Sequence, residues 1–227
     1  MHPNKVSLIV ATMLSTVAFT ATAASFPCER ATTKVERMVC ANPELSTLDE
    51  QLGRYYAAAN VELGSGAGCL RDDQRQWLRT RDACHDGQCL RNAYINRLAE
   101  LDALQPGATA IKQIELPAVP ALVWVIPAAL DTIAAPPVSK ASSLQARGRV
   151  INELETGGGY VLRTDNGERL PLVLDMFLEP GTATTLEALA REDAWFLARG
   201  HEALDHGKRY FESSRCVFLY RLPAVTR

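Results

Sequence analysis

Six cysteines, Cys28, Cys40, Cys69, Cys84, Cys89 and Cys216, are the residues of this chain best placed to do chemistry. An even number in an exported chain forms a disulfide framework, and six allow three bridges. The rival chemistry is a zinc site built on Cys84, His85 and Cys89. Their spacing is not the Cys-x2-Cys pattern of a structural zinc site, and an oxidising compartment favours bridges. Among the histidines, His201 and His206 stand with Glu202 and Asp205 at spacings a metal could use, but the stretch reads as a charged surface loop. The triple glycine Gly157-Gly158-Gly159 opens a strand and not a helix, so it is a turn and not a phosphate cradle. Neither His-Glu-x-x-His nor Gly-x-Ser-x-Gly occurs. The expectation is therefore a binding protein without catalytic residue, metal or cofactor.

Four residues are candidates for contacting a protein partner: Glu36, Asp49, Trp77 and Arg81. Trp77 and Arg81 lie one helical turn apart, Glu36 one turn before Cys40, and Asp49 one turn before Gly53. One reading makes them a presented surface. The other, preferred here, makes Trp77 core and pairs the acids with Arg37, Arg79 or Arg81.

The elements that must position these residues begin after a leader. Lys5 supplies a positive start, Val6 to Phe19 is mostly apolar, and Ala21-Thr22-Ala23 is a small-x-small cleavage pattern, so residues 1–24 read as a signal peptide cut after Ala23 or Ala24. Ser25, Phe26 and Pro27 before Cys28 do not form a lipoprotein box, and the expected location is the periplasm or the exterior. Removing Lys5 from 24 basic residues leaves 23 against 26 acidic ones, a formal charge of about −3. That balance argues against nucleic acid and slightly favours a basic partner.

Residues 25–104 read as helices. Val35, Met38 and Val39 mark a first one, and Asn42-Pro43-Glu44 is a cap with proline at the first helical position. Leu45, Leu48, Leu52, Tyr55 and Tyr56 form one buried face of the second. The glycines from Gly64 to Gly68 end it. Leu70, Trp77 and Leu78 mark a third, and Leu90, Tyr94, Leu98 and Leu101 a fourth. Antiparallel packing of the second and third would bring Cys84 near Cys40, with two bridges among Cys28, Cys40, Cys84 and Cys89 in any of three connectivities. Cys69 falls at the other end and is expected to join Cys216, tying two modules together.

Residues 105–146 are rich in alanine and proline and read as a linker, whose apolar stretch Leu116 to Leu130 carries Trp124 and is too short and proline-broken to span a membrane. From 147 to 223 the period changes to that of strands. Arg149 to Leu154, Tyr160 to Thr164, Arg169 to Leu174, Ala194 to Arg199 and Cys216 to Tyr220 give five, with Asp165-Asn166-Gly167 as a hairpin turn and a short helix from Thr185 to Arg191. The fold class is α+β: a disulfide-stapled helical module, a linker and a small five-stranded β domain, OB-like or half-open.

Phe26-Pro27-Cys28, Thr33 to Cys40, Pro43-Glu44-Leu45-Ser46, Leu48-Asp49, Gln74 to Arg81, Cys84, Cys89-Leu90, Tyr94 and Arg97-Leu98 together resemble the domain of LprI-type lysozyme inhibitors over residues 26–104. Cys69 and the second domain depart from that pattern. The resemblance implies an envelope protein that binds a lysozyme-like peptidoglycan hydrolase, with the Leu63 to Gly68 turn or the Cys84 to Cys89 loop as its protruding contact. The alternative is an adaptor or toxin-immunity module whose β domain binds another envelope protein. An acidic concavity on the helices would favour the first, and an exposed apolar patch near Trp195 or Phe211 the second.

Overall fold

The computed structural model describes residues 24–105, 114–128, 142–173 and 179–224. The expected leader, apart from Ala24, and parts of the expected linker lie outside them.

The helical part starts with caps that the sequence spells out. Helix α1 (Lys34–Ala41) begins at Thr33, whose side chain accepts from the Glu36 amide while Glu36 reaches back to the Thr33 amide. Helix α2 (Pro43–Leu63) has Asn42 accepting from the amides of Glu44 and Leu45. Helix α3 (Ala67–Asp82) follows a tight 3-10 turn at Gly64–Gly66. Helix α4 (Gly87–Leu101) is capped by Asp86, which accepts from the Cys89 amide. Their inner faces bury Leu45, Leu48, Leu52, Tyr55, Leu70, Leu90, Tyr94, Leu98 and Leu101, the stripes expected from the spacing. Each such side chain contributes about 1.5–3 kcal/mol by leaving water.

The sheet part comprises β1 (Ala121–Ile126), β2 (Ser143–Asn152), β3 (Tyr160–Thr164), β4 (Arg169–Val173), helix α5 (Pro180–Arg191), β5 (Phe196–Asp205), β6 (Lys208–Phe211) and β7 (Val217–Arg221). All pairings are antiparallel, in the order β1-β7-β5-β2-β3-β4, with β6 on β5. The long β5 pairs β7 along its first half and β6 along its second, and β6 packs beside β4. The path β2-β3-β4-β6-β5 and back to β2 is the strand order of an OB-like barrel, with α5 between its third and fourth strands. Among the described residues no ladder closes the β4–β6 side.

Five strands were expected, and seven are present among the described residues. Strand β1 comes from the segment read as linker: Pro120 and Pro127 flank it and do not break it, and its side chains Leu122, Trp124, Val125 and Ile126 are buried. It packs on α4 and the 3-10 turn after it while pairing β7, so one apolar core runs from the helices through β1 into the sheet. Gly66 permits this approach, because a Cβ there would stand 2.8 Å from the Val125 carbonyl oxygen. The second added strand, β6, arises where a charged loop was expected. His201 to Asp205 continue β5, and the turn falls at His206-Gly207, both at positive φ.

Three disulfides are formed: Cys28–Cys40, Cys84–Cys89 and Cys69–Cys216. The first two are local, so Cys40 does not join Cys84 across the helices. The third ties the start of α3 to the residue before β7. Among the described residues no helix is long and apolar enough to cross a membrane.

Candidate functional site

Three of the four candidate residues meet around Tyr94. Its hydroxyl donates to Asp49 Oδ1 at 2.8 Å, and Arg81 Nη1 donates to the same hydroxyl at 3.3 Å. Trp77 packs edge-on against the Tyr94 ring with centroids 5.6 Å apart, and the Arg81 guanidinium lies 5.7 Å from the Trp77 centroid. Three helices supply the cluster: Asp49 from α2, Trp77 and Arg81 from α3, Tyr94 from α4. Asp49 is 5% exposed, so it is an internal polar residue and not part of a presented surface. Burial pushes the Tyr94 phenol upward, and the Asp49 carboxylate pushes it further. Burial opposes the Arg81 charge, but Tyr94 and Asp82 outweigh it and keep the guanidinium protonated.

Glu36 stands apart from this cluster. Its carboxylate accepts from the Thr33 and Thr32 amides at 2.8 and 2.7 Å, and these bonds lower its pKa to about 2. It closes the capping box of α1 and pairs with backbone, not with the arginine expected for it.

Trp77 is half-buried, and it also walls a cleft of about 440 Å³ between helices and sheet, together with Arg97 and Glu100 from α4 and Gln145, Leu197 and Tyr220 from the sheet. Asp73 clasps the two sides: Arg97 Nη2 lies 2.8 Å from one carboxylate oxygen and Arg199 Nη2 2.9 Å from the other. Arg97, 2% exposed, also pairs Glu100 at 2.6 Å, and Arg199 donates to the Tyr220 hydroxyl. Burial raises the Tyr220 pKa, with Glu100 adding to it. Two arginines face two carboxylates here, so the cleft is electrically balanced and is not the acidic concavity expected of a lysozyme-binding face.

Sequence reasoning missed Asp73, Arg97, Arg199 and Tyr220 as a group. Asp73 and Arg199 are 126 positions apart, and nothing local links them. Tyr94 was legible as core, and its buried hydroxyl required a partner on some other helix.

Of the two loops expected to protrude, Leu63 to Gly68 exposes only Gly64 and Ser65. Leu63 is buried, Gly66 is buried against β1, and Ser65 bonds Glu179. The Cys84 to Cys89 loop does protrude, with His85, Asp86, Gln88 and Cys89 exposed around a buried Cys84. On the β domain, Phe211 is 2% exposed, and the half-buried Trp195 lies under the guanidinium groups of Arg147 and Arg149 at 4.9 and 5.5 Å, so the apolar patch expected of an adaptor is not formed there. Glu202, on the stretch with metal-like spacing, is occupied by Ser142 and Arg209. Among the described residues no group of three His, Cys, Asp or Glu side chains is arranged to hold a metal.

Fold and site together define a disulfide-stapled helical domain fused to a small antiparallel β domain, its converging polar groups engaged in holding helices and sheet together. Residues 28–108 match the family described as lysozyme inhibitor LprI. The chain is 34% identical over 90 residues to lipoprotein LprI of Mycobacterium bovis and of Mycobacterium tuberculosis, an alignment covering 38% of this chain and 44% of each relative. It thus spans less than half the length of the curated relatives it matches. No solved structure matches it.

Proposed function

We propose that this chain is an exported binding protein that inhibits a lysozyme-type peptidoglycan hydrolase by occupying it, without chemistry of its own. The match of residues 28–108 to lysozyme inhibitors carries this reading. The leader pattern at 1–24, the three disulfides and the name lipoprotein of the relatives support a place in the periplasm or outside the cell. The disulfide-closed Cys84 to Cys89 loop is the contact we favour, because it is exposed and its shape is held before any partner arrives, which lowers the ordering cost of association. Lys34 braces it from α1 by donating to the His85 carbonyl at 3.3 Å. Asp49 and Arg81 act from behind as the frame of that helix pair, and Trp77 offers its exposed part through the cleft.

The test is turbidimetric lysis of peptidoglycan-bearing cells by a cationic lysozyme in the presence of the oxidised full chain. Stoichiometric inhibition is expected, with loss of about tenfold or more in affinity when His85 and Gln88 are both changed to alanine. Lysis unaffected at large excess would overturn the inhibitor reading and turn attention to a β-domain partner in the envelope.

A further inference from the structure

We propose that the mature chain begins at Ser25, and that the ammonium group created by leader removal is a second, closer counter-ion to buried Asp49, which Arg81 meets only at 3.8 Å. The proposal rests on the export reading above.

The region around Asp49 is one cation short. Arg81 lies 3.8 Å from Asp49 Oδ1, whereas it binds Asp82 through Nε at 2.9 Å and Nη2 at 2.7 Å. Two carboxylates therefore share one guanidinium, and among the described residues no other basic side chain pairs with either. A carboxylate this buried needs a charge partner of its own. Asp49 Oδ1 is taken by Tyr94, and among the described residues Oδ2 receives only Ser25, whose main-chain nitrogen donates at 2.8 Å and whose hydroxyl donates at 2.5 Å.

Ser25 is held in that place from several sides. Phe26 packs on the core, Cys28 is bridged to Cys40, and Gly53 on α2 leaves room where a Cβ would stand 3.3 Å from the Ser25 Cβ. The nitrogen bonded to Asp49 is the one that follows Ala24, the second of the two positions the small-x-small pattern allows for the cut.

Hydrolysis by a leader peptidase breaks the Ala24–Ser25 C–N bond. Water supplies the hydroxyl to the Ala24 carbonyl and a proton to the Ser25 nitrogen, and a further proton from solvent gives the ammonium. A neutral amide with one N–H becomes a cation with three, already within hydrogen-bond distance of the carboxylate. Charge around Asp49, Asp82 and Arg81 then sums to zero. The helical module is thereby completed only after the leader is gone, so the precursor folds less firmly than the product.

The chain is expressed in a bacterium with its own leader and recovered from the envelope fraction. Intact mass is expected to place Ser25 first. The α-amino group, followed by pH-dependent acylation or by nitrogen NMR, is expected to titrate at least one unit above the ordinary 7.7–8.0. Asp49→Asn should return it to that range. A chain with one glycine inserted before Ser25 leaves Asp49 in place and should do the same, which covers the case in which Asp49→Asn fails to fold. A cut at any other bond, or a Ser25 amine that titrates ordinarily, overturns the proposal alone. A retained leader overturns the export reading with it.

Discussion

Asp49 and Asp73 are both carboxylates set among arginines, and they do opposite things. Asp49 joins α2, α3 and α4 within the helical part, accepting from Tyr94 on one oxygen and from Ser25 on the other, whereas Asp73 joins α4 to β5 across the two parts. The disulfides divide in the same way. Cys28–Cys40 and Cys84–Cys89 close loops of 12 and 5 residues inside the helical part, while Cys69–Cys216 closes one of 147 and is the sheet's only bridge. The helices are thus stapled to themselves, and the sheet is stapled to the helices. A polar group or a bridge acquires its role from what lies on its far side, which its own residue type does not state.

The strongest test of this division removes the long bridge. By loop-closure entropy, changing Cys69 and Cys216 to serine costs on the order of 5 kcal/mol, against roughly 2 kcal/mol for the same change at Cys84 and Cys89. Denaturant unfolding followed separately by the helical far-UV signal and by tryptophan fluorescence should show the first variant losing coincidence of the two transitions and the second keeping it. Equal losses would mean that the core through β1 alone holds the parts together.

The next effect is at the two aspartates. Asp49→Ala removes one of the two carboxylates near Arg81 and takes from the Tyr94 hydroxyl the acceptor of its proton, which we expect to cost about 3 kcal/mol. Asp73→Ala should cost less, about 2 kcal/mol, because Arg97 keeps Glu100 and Arg199 is 38% exposed. Calorimetric midpoints in the reverse order would show that the interface clasp, and not the internal node, dominates stability.

The smallest effect is a pH dependence confined to α1. The Glu36 carboxyl is held at about 2 in the fold against 4.5 as a free group. Its contribution is therefore complete above about pH 4.5 and is lost as pH falls through about 2. Carbon NMR of its carboxyl should show the low titration, Glu36→Gln should remove the dependence, and an ordinary midpoint would mean that the cap is open in solution.

The helical part was legible because its determinants are local. Caps at Thr33, Asn42 and Asp86 act within three residues, and apolar side chains three and four apart declare a face. The β part was legible where turns announce strands, as at Asp165-Asn166-Gly167, and not where a strand is defined by its partner. Strand β1 sits between prolines, and only pairing with β7 and burial against α4 reveal it. The polar β6 needs β5 beside it to be a strand at all. Of the four residues chosen by type and turn spacing, Trp77, Asp49 and Arg81 meet around Tyr94, whereas Glu36, chosen by the same criteria, closes the capping box of α1.

The sequence by itself determined the helices, their caps, the cysteine count, the hairpin at Gly167 and the likeness of residues 26–104 to an inhibitor domain, because each is encoded within a few turns of chain. Only the tertiary structure decided that Cys40 joins Cys28, that Ala121–Ile126 within the expected linker is a core strand, that Asp49 faces inward toward Ser25, and that Asp73 clasps helices to sheet. Those outcomes depend on which distant segments come within a few ångströms of one another, and burial then decides whether a charge is paired or costly.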